Sequence, residues 1–404
     1  METLIELYVN EQFDNLAAAL TFHPKRVVFL SSGFMPERCA REGITRFIKA
    51  NCCEGENAEV RFIDIGNRSL GSLLKRIGEV VRTYDDCVID MTGGPTGALI
   101  AAQRYCSRHK ARALFYDSRR ERYVNIYGMS KELEGLKLPE LTVSGLIGMG
   151  GGLVTGNGHS VAQYASNRDI ADRVLEIYAK NLAHWNAFSE YLQFACKSYY
   201  DSRTQLFMAP STLLNNSILL FANKRLLKLL FEAGALLELA TDGESISFRF
   251  KNGFIKELLT TVGECLELLI YSTALESGRF GDVEMSVVFD WDGIFHGNFN
   301  DTTNELDVVM TRKLSSVFVS CKSARPDTRD LYEIDYLAHR FGGRDAEVVL
   351  ATATNLSTEA WSIYMRARDM GVIVIERRDI EKGREHILKM LLEPSWLDDK
   401  PEKQ

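Results

Sequence analysis

Between residues 4 and 117 one pattern recurs: a short apolar run rich in β-branched residues, then a stretch with apolar residues three or four apart. Residues 4–9 fit a strand and 13–20 a helix. Arg26-Val-Val-Phe-Leu30 is a second strand, ending in Ser31-Ser-Gly33. Residues 59–65 form a third, followed by a helix through Leu73, Ile77 and Val80. Cys87-Val-Ile-Asp90 runs into Met91-Thr-Gly-Gly-Pro-Thr-Gly97 and a helix over 98–106, and residues 111–116 form a further strand closing at Asp117. Strands alternating with helices predict a doubly wound parallel sheet, a Rossmann-like α/β domain over residues 1–135.

The pattern then changes. Residues 136–158 are glycine-rich and read as a linker or boundary. A helix is expected over 162–194 and another over 223–233, before two short strands around Thr241-Asp-Gly243, a strong hairpin signal. Helices followed by a hairpin resemble a small winged-helix unit, so residues 136–250 read as a connector, structural or DNA-reading. From 251 to 404 the periodicity predicts a third module. Its first helix spans 254–271, with Phe254, Leu258, Val262, Cys265 and Leu269 on one stripe. Strands follow at 283–291, 306–310 and 316–320, then a helix at 329–341, a strand at 347–351, a helix at 361–370, a strand at 372–375 and a closing helix at 380–392.

Composition adds exclusions. The chain has 404 residues, 46% hydrophobic and 25% charged, as in ordinary globular proteins. No apolar run approaches the ~20 residues of a membrane span. Residues 1–10 carry Glu2 and Glu6 and no basic segment, so no secretory signal is expected. The eight cysteines include no C-x-x-C pair, and the adjacent Cys52 and Cys53 suit neither a zinc knuckle nor an easy disulfide. Reduced thiols and a cytoplasmic location follow as expectations. The formal charge of -7 argues against a basic nucleic-acid coat but allows a local basic groove.

Two segments carry candidate chemistry. Asn304-Glu-Leu-Asp307 is followed fifteen residues later by Lys322 in Val319-Ser-Cys-Lys322. An acid on one strand and a lysine ending its hairpin partner can share one sheet face. Phosphodiester hydrolysis needs a divalent metal held by carboxylates, and a lysine beside it to orient the attacking water. Cys321 should face the other side of the sheet as an inert core residue. His296, between Asp292 and Asp301, lacks a second histidine at ligand spacing. The second segment, Thr92-Gly-Gly-Pro-Thr-Gly97, lies between a strand and a helix N-terminus. Gly93, Gly94 and Gly97 let backbone N–H groups approach a phosphate or ribose, with the helix dipole favouring an anion. Ser31, Ser32 and Asp117 end neighbouring strands and should cluster with Thr92 and Thr96 at the carboxyl edge of the sheet.

Together Thr92-Gly-Gly94, Tyr116-Asp117, Leu141-Thr-Val143, Gly253-Phe-Ile, Asn304-Glu-Leu-Asp-Val308, Cys321-Lys-Ser323, Leu331-Tyr332 and Gly342-Gly343 resemble the CRISPR-associated ancillary nucleases that join a CARF domain to a PD-(D/E)xK domain. The resemblance implies a Rossmann-like CARF sensor and a C-terminal restriction-endonuclease-like α/β domain. It implies activation by a cyclic oligoadenylate, commonly cyclic tetra-adenylate, homodimerisation, and Mn²⁺- or Mg²⁺-dependent cleavage of DNA or RNA in type III CRISPR-linked antiviral defence. The chain departs from the family at four places. Ser320 stands where a metal-binding glutamate is usual. Lys256, with Glu257 beside it, stands at a helix glutamate. Thr96 replaces a loop lysine and Asp90 an asparagine. The missing carboxylate has two explanations. Either the acid has migrated to Glu333 or Asp335, giving a site of Asp307, Lys322 and Glu333 with Glu257 as a further metal ligand, or the site is degenerate. A degenerate chain would act as a ligand-gated nucleic-acid-binding regulator.

Overall fold

The N-terminal alternation builds β1 (Thr3–Leu7), α1 (Gln12–Phe22), β2 (Arg26–Ser31), α2 (Arg38–Asn51), β3 (Glu59–Asp64), α3 (Leu70–Thr83), β4 (Cys87–Asp90), α4 (Thr96–His109), β5 (Arg112–Asp117) and β6 (Arg122–Tyr127). The computed structural model describes residues 1–52, 58–67, 69–156, 159–294 and 303–392. Cys53, His296 and Asp301 lie outside these residues, as does the side chain of Arg119. The strands order as β3-β2-β1-β4-β5-β6, parallel except for β6. Strand order reverses between β1 and β4, the position where doubly wound sheets bind ligands.

The connector holds more structure than its glycines suggest. After α5 (Ser130–Leu133) come α6 (Val143–Met149) and β7 (Leu153–Gly156), and β7 pairs antiparallel with the C-terminal sheet. The stretch expected as a linker is therefore partly an edge of the third module. The single helix expected over 162–194 is two, α7 (His159–Ala179) and α8 (Leu182–Tyr199). Then follow β8 (Tyr200–Asp201), β9 (Leu206–Pro210), β10 (Thr212–Asn215), β11 (Ile218–Phe221), α9 (Lys224–Glu232), β12 (Leu236–Thr241) and β13 (Ser245–Phe250). The 241–243 hairpin forms as read, its turn held by Asp242, which accepts from the Ser245 amide at 2.6 Å.

The third module begins with α10 (Gly253–Thr260) and α11 (Glu264–Ser277), which replace the single helix expected over 254–271. They meet at 113° because Gly263 takes a φ of +104°, open to glycine and strained for other residues. Val262, expected on the buried stripe, is instead exposed at the break. The chain continues through β14 (Asp282–Asp290), β15 (Thr303–Arg312), β16 (Ser315–Lys322), α12 (Thr328–Gly342), β17 (Glu347–Thr352), α13 (Leu356–Glu359), α14 (Trp361–Asp369), β18 (Ile373–Ile375), α15 (Arg377–Ile380) and α16 (Arg384–Leu392). The sheet orders β18-β17-β16-β15-β14-β7, antiparallel through β14–β16 and parallel through β16–β18. No single helix among the described residues is long and apolar enough to cross a membrane.

One apolar core joins the two sheets. Leu4, Phe13, Val27 and Val88 of the first module share it with α6 and with Phe289, Val309, Phe318, Leu331 and Phe341 of the third. Helix α12 lies at its centre, its apolar stripe Leu331, Ile334, Leu337, Ala338 and Phe341 buried. Phe341 is fully buried, edge-on to Phe289 (4.9 Å between centroids) and to Trp291 (5.6 Å), and packs against Gly150. Its truncation would open a cavity beneath both modules. Phe341→Ala should therefore cost about 3–5 kcal/mol in equilibrium urea unfolding; a loss under about 1 kcal/mol would contradict this packing role.

Candidate functional site

Pairing of β15 with β16 runs from Val308 opposite Val319 to Arg312 opposite Ser315 and stops short of Asp307. Pairing with β14 also lapses between Leu306 and Val308. Freed from both ladders, Asp307 turns its carboxylate to the end of β16. There Oδ2 accepts from the Cys321 amide at 2.6 Å and from the Ser320 hydroxyl at 3.4 Å. Ser320 thus stays on the site as a neutral donor to Asp307. Alternation puts Cys321 with Val319 in the opposite core, as expected, where burial pushes its thiol well above the usual range.

A pocket of about 60 Å³ opens between this strand end and α12. Asp307, Ser320, Lys322, Glu305, Asp330 and Glu333 line it. The volume suits a hydrated ion or a phosphate oxygen rather than a whole nucleotide. Asp327 caps α12 with a full capping box, which fixes Asp330 in the first turn. Asp330 Oδ1 then lies 3.5 Å from Lys322 Nζ, and Glu333 follows one turn on. Burial would lower the Lys322 pKa, but Asp307, Asp330 and Glu333 outweigh it and hold the ammonium charged. Asp307 is shifted up, mainly by burial, against the opposing Cys321 amide and Lys322 charge.

Of the two migration candidates, Glu333 is at this pocket and Asp335 is not. Asp335 faces another cavity, 3.5 Å from His339 Nδ1. Glu257 is also misplaced as a ligand: it is exposed on α10 and absent from the pocket wall, because the break at Gly263 turns α10 away. A helix carboxylate that acts on Asp307 from outside the pocket wall is Glu267, in the first turn of α11. It accepts from Ser286 Oγ at 3.3 Å, and Ser286 sits at φ +48° where β14 leaves its ladder. Burial first, then the charges of Asp307, Glu264 and Glu305, push Glu267 up to about 8. Only the glycine inside an otherwise continuous helical pattern could have pointed to it.

Residues 256–393 match the family model of the Card1-like endonuclease domain. Over those residues the C-terminal domain is similar to that endonuclease family. No curated protein matches the chain in sequence. In fold it is similar to protein VC1899 from Vibrio cholerae, with TM-score 0.70 and 15% identity over 96% of this chain and 97% of that one. It is also similar to Can2 from Sulfobacillus thermosulfidooxidans, solved in complex with cyclic tetra-adenylate, with TM-score 0.66 and 17% identity over 96% and 99% of the two chains.

The endonuclease domain faces the second candidate site, the 92–97 loop. Gly94 adopts φ +128° and comes so close to Leu7 that an added Cβ would lie 2.7 Å from the leucine Cβ. Gly93 is wedged against Val9 and Asp14. Helix α4 has no side-chain cap, and Thr96 and Gly97 are exposed at its N-terminus, the arrangement that favours an anion. Several expected contacts are spent internally. Thr92 donates to Asp90 Oδ1 at 2.5 Å and accepts from the Tyr116 amide at 2.8 Å. Ser31 is buried and bonds the Phe34 carbonyl. Asp117 caps the following turn through the Arg120 amide at 3.2 Å, which makes that turn a capped 3₁₀ segment. Ser32 donates to the Gly66 carbonyl at 3.0 Å and keeps acceptor capacity. Beneath the loop lie Glu6, Asp14 and Asp90; burial raises Asp14 to about 6 and Asp90 to about 7.

The C-terminal domain also carries a pH signature. Folded Glu267 keeps its proton to about 8, against 4.5 for an ordinary glutamate. Across that window the folded chain binds the extra proton, so stability falls as pH rises. Glu267→Gln should match wild type near pH 4.5 and exceed it by on the order of a few kcal/mol at pH 8. A pH-independent difference in unfolding free energy would show that Glu267 is not held protonated.

Proposed function

We propose that the chain is a metal-dependent endonuclease switched on by a cyclic oligoadenylate, with cyclic tetra-adenylate the first candidate. The gathering of Asp307, Lys322 and Glu333 around one pocket of an endonuclease-family domain carries this reading. Every donor facing the pocket, apart from the lysine, is oxygen, which fits a hard Mn²⁺ or Mg²⁺ rather than a thiophilic metal. Among the described residues no group of three His, Cys, Asp or Glu side chains is placed to hold a metal ion, so any ion here would rest on fewer protein ligands. That suits an ion held by one or two carboxylates with water completing its shell. Asp307 and Glu333 would hold it. When bound, such an ion polarises the scissile phosphate and lowers the pKa of a water.

The chain's own groups supply the rest. The Cys321 amide and Ser320 hydroxyl fix the Asp307 carboxylate, leaving Oδ1 free of those bonds. Lys322, kept charged by Asp330, can orient the attacking oxygen and steady the charge that develops on the phosphate. Glu333 takes the place of the acid missing at Ser320. Nucleic acid, DNA or RNA, is the substrate. The 92–97 loop, with Ser32, Thr96 and the α4 N-terminus, is the ligand seat, and the shared fold with Can2 bound to cyclic tetra-adenylate supports that ligand class. A cyclic ligand with two-fold symmetry fits a homodimer.

The test is cleavage of plasmid DNA and single-stranded RNA by the full chain with Mn²⁺, with and without cyclic tetra-adenylate. Lys322→Ala and Asp307→Asn should each slow cleavage by about a hundredfold or more, and Glu333→Gln by about tenfold. Glu257→Ala should leave it unchanged. Equal rates for Glu333→Ala and wild type would sink the role of Glu333. Ligand binding without any cleavage would make the chain a regulator.

A further inference from the structure

Helix α12 carries Asp330 and Glu333 near its start and leaves the endonuclease domain at its end. The three residues after it touch the first module beside the 92–97 loop. Gly343 packs on Phe13 of α1; a Cβ added there would meet the phenylalanine at 2.9 Å. Arg344 donates through Nη2 to the Thr92 carbonyl at 3.2 Å and lies 3.7 Å from Asp14 Oδ2. Asp345 accepts from Ser118 Oγ at 2.8 Å. The β15–β16 turn docks in the same way, with Arg312 and Lys313 on Glu121 at 2.6 and 2.9 Å. Both elements that carry the nuclease pocket are therefore seated, at their far ends, on the sensor module.

Arg344 differs from the other seats. Its side chain is 65% exposed and lines a cavity of about 770 Å³ between the modules, whose wall mixes Arg120, Arg279 and Arg312 with Glu121, Asp345 and Glu347. That volume accommodates a nucleotide-sized ligand. The present partners of Arg344 hold it weakly. One is a neutral carbonyl, and the other is a carboxylate at 3.7 Å whose pKa burial has raised to about 6. A guanidinium so placed retains donors for a phosphate, whose charge-assisted pairing exceeds either present contact.

We propose that Arg344, supplied by the endonuclease domain, is the phosphate-reading cation of the sensing site, so that an anionic nucleotide bound at the module junction acts directly on helix α12. The inference rests on the sensing role proposed above. Recruitment of Arg344 to a ligand phosphate loosens its bonds to Thr92 and Asp14 and shifts the end of a helix whose other end sets Asp330 and Glu333. Because Arg344 reads charge, its contribution should fade with salt.

Calorimetric titration of the full-length chain with cyclic tetra-adenylate tests this, alongside Mn²⁺-dependent cleavage at saturating ligand. Arg344→Ala should bind at least tenfold more weakly, with a shallower salt dependence, and stay at the ligand-free cleavage rate when saturated. Arg344→Lys, which keeps the charge, should recover most of the affinity. Unchanged melting temperatures without ligand would show that both variants fold. If wild type binds and Arg344→Ala binds equally well, or is fully activated at saturation, this inference fails and the sensing reading stands. If wild type does not bind, both fall.

Discussion

The structure depends on the seating of one helix. The stripe from Leu331 to Phe341 presses α12 onto the β14–β16 meander, and the same core continues into α1 and α6. This packing does three things at once. It closes the C-terminal sheet, it sets Asp330 and Glu333 opposite Asp307 and Lys322, and it delivers residues 343–345 to the sensor module. The one-sided stripe sets which face of the helix is buried, and so its rotation about its own axis. Directional contacts then hold the ends: the Asp327 capping box starts the helix, and the Arg344 and Asp345 bonds tie down its finish.

The pocket is electrostatically costly. Glu267 feels the charges of Asp307, Glu264 and Glu305, and Asp307 feels those of Glu333 and Lys322. Burial of Glu267 and Asp307 adds desolvation to like-charge repulsion. A fold selected only for stability would place apolar residues at these positions. The lapse of strand pairing at Asp307 and the positive φ of Ser286 are local strain at the same point. Strain and crowded acid thus coincide at the end of the β15–β16 pair.

Much of this was legible in the sequence. The alternation of apolar runs predicted the first sheet, because buried parallel strands must be near-continuously apolar. Asp307 and Lys322 were readable because both face one side of a two-stranded unit, and strand period fixes face. Glu267 was not readable. A helical stripe continues smoothly across residues 254–271, and only Gly263, a weak signal, marks the right-angled turn that sends α10 away and brings α11 in. The 92–97 turn was legible from its glycines, but the destinations of its hydroxyls were hidden. Thr92 and Ser31 serve the sheet end because buried amides and carbonyls there need partners, a demand that only the assembled register reveals. The contact of Arg344 with Thr92 spans 252 residues of chain and has no local signature.

On the proposed reading, that division bears on how the N-terminal module could act on the C-terminal one. With Thr92, Ser31 and Asp117 engaged internally, the loop presents mainly backbone amides, Thr96 and the uncapped start of α4. Such a surface binds an anion but discriminates little. Discrimination, and any work done on the rest of the molecule, must come from groups that the ligand gains and the empty site spends elsewhere, since a ligand shifts an equilibrium only by its differential affinity for the two states. On the junction wall Arg344 meets that condition. Its two present contacts are weak, it is covalently continuous with α12, and its exchange of partners changes the end constraint on the helix that orients the pocket.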